Sequence, residues 1–144
     1  MHQTFRYKEK ETSMKDKFEM VKQYLIEMEV AITSEDTAEE LVVVDDEENG
    51  IKNLIIDCEA PIVILEQAIM RVPHENRENF FRRLLQMNRN LIHGAFVMDE
   101  NGELILFRDT LQLDNLDRNE LEGSIHALSL ALTEYGPELL DFSA

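Results

Sequence analysis

The side chains best able to do chemistry in this sequence are carboxylates, gathered in two acidic turns. Counting Asp45 as position 1 of an EF-hand loop puts suitable residues at positions 3, 5 and 6. Position 12, however, is Ile56, where the bidentate glutamate should stand, and β-branched runs flank the loop in place of helices. The second turn, 99–103, fails sooner because a leucine occupies its position 6. We interpret both segments as acidic hairpin tips and expect no bound metal and no cofactor.

Candidate nucleophiles and bases are sparse. The single cysteine, Cys58, ends an apolar run, which is typical of a small buried hydrophobe, and one cysteine cannot form an internal disulfide. No glycine-rich phosphate loop or nucleophile elbow is present. We therefore predict that the chain is not an enzyme. Paired carboxylates keep one alternative open, a hydrolase or metal-dependent enzyme, because 30 acidic residues always offer pairs. The histidines, which lack metal-ligand spacing, are His2, His74, His93 and His126.

The amino-acid composition narrows the range of partners that the protein can have. The 144 residues include 30 acidic and 14 basic side chains, for a formal net charge of −16. So negative a surface repels nucleic-acid phosphate and anionic lipid, and no apolar run reaches the roughly 18 residues of a membrane span. We expect a cytoplasmic protein with no nucleic-acid or membrane partner. Residues 1–13 are polar and patternless and are predicted to be a flexible lead-in to a single domain at 14–144.

The elements that would position these side chains begin with a helix at about 14–30, where apolar residues recur every three or four positions. Two β-branched runs, 41–44 and 54–56, then flank Asn49-Gly50, a strong hairpin signal. A two-residue loop there would make Val43 face Ile56. A third strand is predicted over 62–72, beyond a turn at Pro61.

The second half begins with a helix predicted over 74–92. A second hairpin around Asn101-Gly102 should place Phe96 opposite Phe107. Asp117 caps the last helix, which the Gly136-Pro137 dipeptide should end. The expected fold is α+β, in the order α-β-β-β-α-β-β-α, with helices packed on a twisted antiparallel sheet.

Apolar residues exceed what one core needs. Every predicted strand is apolar at consecutive positions, so both faces of the sheet should be apolar, and three helices can cover only one. The helix at 74–92 carries a second apolar stripe beside the first, at Phe81, Leu85 and Ile92. Large exposed apolar patches usually mark interaction surfaces. This surplus favours a dimer, or a dimer that also binds a client.

Four segments of the second half resemble the CesT/Tir-chaperone-like family of type III secretion chaperones and the related YbjN-like proteins. The segments are 84–88 (LLQMN), 94–99 (GAFVMD), 102–106 (GELIL) and 111–116 (LQLDNL). The resemblance implies a small acidic homodimer that binds an extended segment of a client protein and has no enzymatic activity. It also implies that the helix at 74–92 contributes to the dimer.

The hypothesis from the sequence is a chaperone-like protein-binding module that forms a homodimer. The main rival is a YbjN-like accessory or regulatory protein that forms the same dimer and has no secreted client. The dimer or client interface is predicted at residues of the second helix and the following strand, namely Phe80, Phe81, Leu84, Leu85, Met87, Phe96 and Met98.

Overall fold

A computed structural model describes residues 16–143 as three helices packed on a six-stranded antiparallel sheet, so the predicted fold class is confirmed. The predicted lead-in, 1–13, lies outside the described residues. The elements are α1 (16–27), β1 (Ala31–Asp36), β2 (Leu41–Asp46), a 3-10 turn (Glu47–Asn49), β3 (Ile51–Glu59), β4 (Ile62–Arg71), α2 (Arg77–Asn90), β5 (Ala95–Met98), β6 (Leu104–Gln112) and α3 (Arg118–Ser143).

The sheet has the strand order β1-β2-β3-β4-β6-β5, and its two faces differ sharply. Burial alternates along the strands, because successive side chains of a strand point to opposite faces. One face joins buried residues of all three helices in a single apolar core, which includes Leu25, Phe80 and Leu128. The helices therefore form one layer, and the opposite face of the sheet has no helix over it among residues 16–143.

Strand β1 is absent from the predicted order, which has three strands before the second helix where the structure has four. Its residues are mostly exposed and read as a polar connection. The strand forms because backbone pairing with β2 needs no apolar side chains, and Thr33 Oγ1 adds a bond to the carbonyl of Val43 (3.2 Å). Short, polar strands are typical of a protected sheet edge.

The first hairpin differs from the predicted register by one residue. Val43 faces Ile55, where the prediction had Ile56. The loop is longer than two residues, because it contains the 3-10 turn and only Gly50 has a positive φ, whereas a type I′ turn needs two. Lys52 Nζ pairs with Glu47 Oε1 across the loop, at 3.3 Å.

The second hairpin forms as predicted, with Phe96 opposite Phe107. Its turn is stabilised by Asp99, whose Oδ1 accepts hydrogen bonds from two backbone amides of the loop, at 2.8 and 3.1 Å. Gly94, just before β5, has φ +74°, and its missing side chain leaves room for the Phe107 ring. This packing fixes the strand against the core.

The last helix begins as predicted but does not end at Gly136-Pro137. Asp117 Oδ1 accepts the amide of Glu120 at 2.7 Å, as an N-cap should. The helix then continues to Ser143 with Pro137 inside it. A proline inside a helix costs about 3 kcal/mol. Contacts beyond it offset this cost, because Leu139 is buried and the Phe142 ring packs edge-on against Phe80 with centroids 5.2 Å apart.

Candidate functional site

The first of two apolar surfaces in residues 16–143 is the uncovered face of the sheet. Pairing across the strands places its apolar side chains in adjoining rows, and most are half-buried only by their neighbours in the sheet. The most exposed of them is Ile55, at 41%. We call this surface the open sheet face; its apolar members are Leu41, Val43, Ile55, Ile62, Ile64, Val97 and Leu106. The predicted second apolar face of the sheet is thus present and uncovered in residues 16–143.

Carboxylates lie at one end of the open sheet face. Asp57 stands between Leu41 and Ile64 in a row across the strands. Its Oδ1 atom is buried and accepts no hydrogen bond from the part of the chain that is described. Burial, followed by the neighbouring carboxylates of Glu59 and Glu39, raises the pKa of Asp57 to about 6. This end of the face therefore favours a cationic or hydrogen-bond-donating neighbour.

The second surface follows α2 and β5. Of the predicted interface residues, Leu85 is 72% exposed, Met98 is 50% exposed and Phe81 is half-buried. Ile92, just beyond α2, is 88% exposed. We call Phe81, Leu85, Ile92 and Met98 the α2–β5 patch. The other four predicted residues are buried in the core of the chain and offer no surface there: Phe80, Leu84, Met87 and Phe96.

A side chain of α2 occupies the outer edge of β5. Asn88 accepts a hydrogen bond from the Phe96 amide at 2.7 Å and donates one to the Phe96 carbonyl at 3.1 Å. Its carboxamide thus makes the two bonds that a further strand would make at this position. The edge of the sheet at β5 is closed there to strand addition, while the side chains of the α2–β5 patch stay exposed beside it.

An ion pair and a hydrogen bond join α2 to α3. Arg83 Nη2 donates to Glu138 Oε1 at 2.8 Å, and this contact raises the pKa of Arg83 and lowers that of Glu138. Further along, Asn90 donates to the hydroxyl of Tyr135 at 3.1 Å. These contacts hold α2 on the helix layer, so its opposite flank, with Leu85, faces outwards.

Chemical groups are poorly placed for catalysis. Burial raises the pKa of the Cys58 thiol to about 12, so it is no nucleophile. Within residues 16–143, no three His, Cys, Asp or Glu side chains are grouped to hold a metal ion. A cleft of about 820 Å³ lies beside Arg71, His74 and Phe142. Asp57 has the shifted pKa that a carboxylate enzyme requires, but it lies on the sheet face and not in this cleft.

The sequence predicted the two apolar surfaces more accurately than it predicted which residues belong to them. Both stripes of α2 were recognised, but the buried stripe could not be separated from the exposed one by spacing alone. The Asp57 cluster was missed, because Glu39 comes from the β1–β2 connection and no local signal joins it to β3. Ile92 was visible as the end of the second stripe.

Solved structures share this fold at low sequence identity. The E. coli protein YbjN matches with a TM-score of 0.66 and 12% identity, over 85% of this chain and 92% of YbjN. A chain of the HopA1–SchA chaperone–effector complex matches with a TM-score of 0.54 and 13% identity, over 76% of this chain and 84% of that one. A protein of Methanothermobacter thermautotrophicus matches with a TM-score of 0.61 and 17% identity, over 89% of this chain and 99% of that one.

An antiparallel sheet with helices packed on one side is the type III secretion chaperone-like fold. The sequence model of the CesT_Tir_1 family matches residues 14–144, and the chain belongs to this family. No curated protein matches the sequence. Among the helices described, none is long and apolar enough to cross a membrane.

Proposed function

We propose that the chain is a non-enzymatic, chaperone-like module that acts in the cytoplasm as a homodimer and binds an extended segment of a client protein. The observation that carries the proposal is the open sheet face, an apolar surface left uncovered by residues 16–143. Soluble proteins seldom leave large apolar patches exposed without a partner. The chaperone–effector complex among the structural matches supports a protein partner. The single, buried cysteine supports a reducing compartment.

The α2–β5 patch is the proposed dimer surface. Leu85 and its neighbour Phe81 lie one helical turn apart on the outer flank of α2, so a twofold-related copy could pack the same residues against them. The retained interface residues are Phe81, Leu85 and Met98, with Ile92 added. This assignment leaves the open sheet face for the client.

A charge placed in the patch tests the dimer. Leu85→Glu should shift the chain from dimer to monomer, because dimerisation would bury an unpaired carboxylate, whereas the exposed site costs the monomer less than about 0.5 kcal/mol. Leu140→Glu is the matched control, since Leu140 is 71% exposed on α3. Light scattering over a range of concentrations measures the mass. An unchanged dimer mass for a folded Leu85→Glu variant would place the interface elsewhere.

A charge placed on the open sheet face tests client binding. Ile55→Glu should abolish co-purification of a dominant partner, because that partner would pack against Ile55 and its neighbours. Ile26→Glu, at an exposed site on α1, should retain it. The partner, once identified, is then titrated against both purified variants. Equal affinity for the two would refute the assignment of this face, and a chain that retains no dominant partner would favour an accessory role without a client.

A further inference from the structure

The sequence divides its charge unevenly. Residues 1–15 contain four basic and two acidic side chains, a net charge of +2 in a chain whose total is −16. The remaining residues therefore carry −18. Phe5 and Tyr7 stand among the cations, since Arg6 and Lys8 alternate with them. This short segment combines aromatic and cationic groups, a chemistry that differs from that of the rest of the chain.

The open sheet face has the complementary chemistry. At its carboxylate end, Ile62 and Ile64 of β4 pair with Glu59 and Asp57 of β3, so apolar and acidic side chains lie side by side. The carboxylates of Asp57, Glu59 and Glu39 lie near one another, and no cation of residues 16–143 is placed to neutralise them. The Arg108 guanidinium on the same face is already paired with Glu66, at 3.2 Å. A cationic and aromatic segment would supply what this end of the face lacks.

The described chain begins beside this end of the sheet. Lys17, in the first turn described for α1, is in contact with Asp114. Asp114 follows Leu113, whose amide donates to the Pro61 carbonyl at 2.9 Å, immediately before Ile62. Fifteen extended residues span about 50 Å, enough to pass from the helix layer around the end of the sheet and across several strands. Length and point of entry therefore both allow the segment to reach the face.

We propose that residues 1–15 dock on the open sheet face of their own chain, with Phe5 and Tyr7 against Ile62 and Ile64 and with Arg6 or Lys8 at Asp57 and Glu59. The inference goes beyond client binding and can be tested without a client.

Paramagnetic broadening in the full chain measures the docking. A nitroxide attached at Gln3→Cys labels selectively, because Cys58 is buried. The methyl signals of Ile62 and Ile64 should be lost, whereas those of Leu130 and Leu140, exposed on α3, should remain. Arg6→Glu with Lys8→Glu should restore the lost signals.

Two controls decide the outcome. Arg82→Glu with Arg89→Glu changes the net charge equally on α2, and the signals of the open sheet face should stay lost. A mixture of spin-labelled, isotopically unlabelled chains with isotope-labelled, unmodified chains should show no broadening if the segment docks on its own chain. Intact signals of the face in the labelled chain, or broadening equal to that on α3, would overturn the proposal. Broadening that arises in the mixed sample would assign the face to a segment of a second copy and would also overturn it.

Discussion

Gly94 offers a quantitative test of the packing beneath β5. In Gly94→Ala, the new Cβ would lie 2.7 Å from Cε1 of Phe107 and closer still to Cζ. The residue also has φ +74°, in the left-handed region that costs an L-residue about 1–2 kcal/mol. Forcing a methyl group into a packed site costs about 1–3 kcal/mol more. The free energy of unfolding should fall by about 2–5 kcal/mol in total.

Two other glycines separate these contributions. Gly102 has φ +72°, but an added Cβ would meet nothing nearer than the Met98 sulfur at 3.9 Å, so Gly102→Ala should cost only about 1–2 kcal/mol. Gly123 lies inside α3 with open space around it, and Gly123→Ala should raise stability by about 0.5–1 kcal/mol. Urea unfolding followed by circular dichroism measures all three. If Gly94→Ala cost no more than Gly102→Ala, the Phe107 ring would not press on this position and the reasoning would fail.

Two further substitutions test the edge of β5 and the carboxylate cluster. Asn88→Ala should lower the free energy of unfolding by about 1–3 kcal/mol and increase light scattering, because it frees two backbone groups of β5; Asn90→Ala, which loses one bond, should destabilise less and leave scattering unchanged. In the Arg6→Glu, Lys8→Glu background, Asp57→Asn should raise the free energy of unfolding at pH 7.5 by about 1 kcal/mol. Burial and the neighbouring carboxylates disfavour the charged form of Asp57, and partial exposure weakens this effect.

The pH dependence of the Asp57 effect follows from the direction of the shift. The pKa rises from 3.8 to about 6 on folding, so the cost of the ionised carboxylate is fully present above pH 6 and absent below pH 3.8. The advantage of Asp57→Asn in urea unfolding should therefore disappear by about pH 3.5. Glu48→Gln, in the exposed β2–β3 loop, serves as the control at both pH values. If the stability difference between Asp57→Asn and its parent chain did not change with pH, the proposed environment of this carboxylate would be contradicted.

Local signals predicted the parts of the fold that local chemistry controls. The second hairpin was predicted to the residue, because a glycine turn and a pair of facing phenylalanines act within twelve positions. The end of α3 was wrong, since Leu139 and Phe142 contact a core assembled from distant segments. Strand β1 was missed for a different reason: backbone pairing with β2 forms it, and its own side chains carry no apolar pattern.

The two apolar surfaces show a similar division between what the sequence predicts and what it does not. Consecutive apolar residues in the strands indicated two apolar faces without knowledge of the helix positions. The buried stripe of α2 packs on a core assembled from distant segments, so spacing alone does not distinguish it from the exposed stripe. Of the predicted interface residues, Phe80 and Leu84 are therefore found buried in the core, whereas Leu85 is exposed and Phe81 is half-buried.

The carboxamide of Asn88 has a consequence for how copies of this chain can associate. It takes up the backbone groups through which β5 could continue into a neighbour's sheet, and the opposite edge, β1, is short, polar and interrupted by a bulge. Side-by-side growth into a filament is blocked at one end and disfavoured at the other. A molecule can then expose an apolar sheet face and still be restricted to closed assemblies. In these, the same helix flank of two copies packs together, or a single segment covers the sheet face.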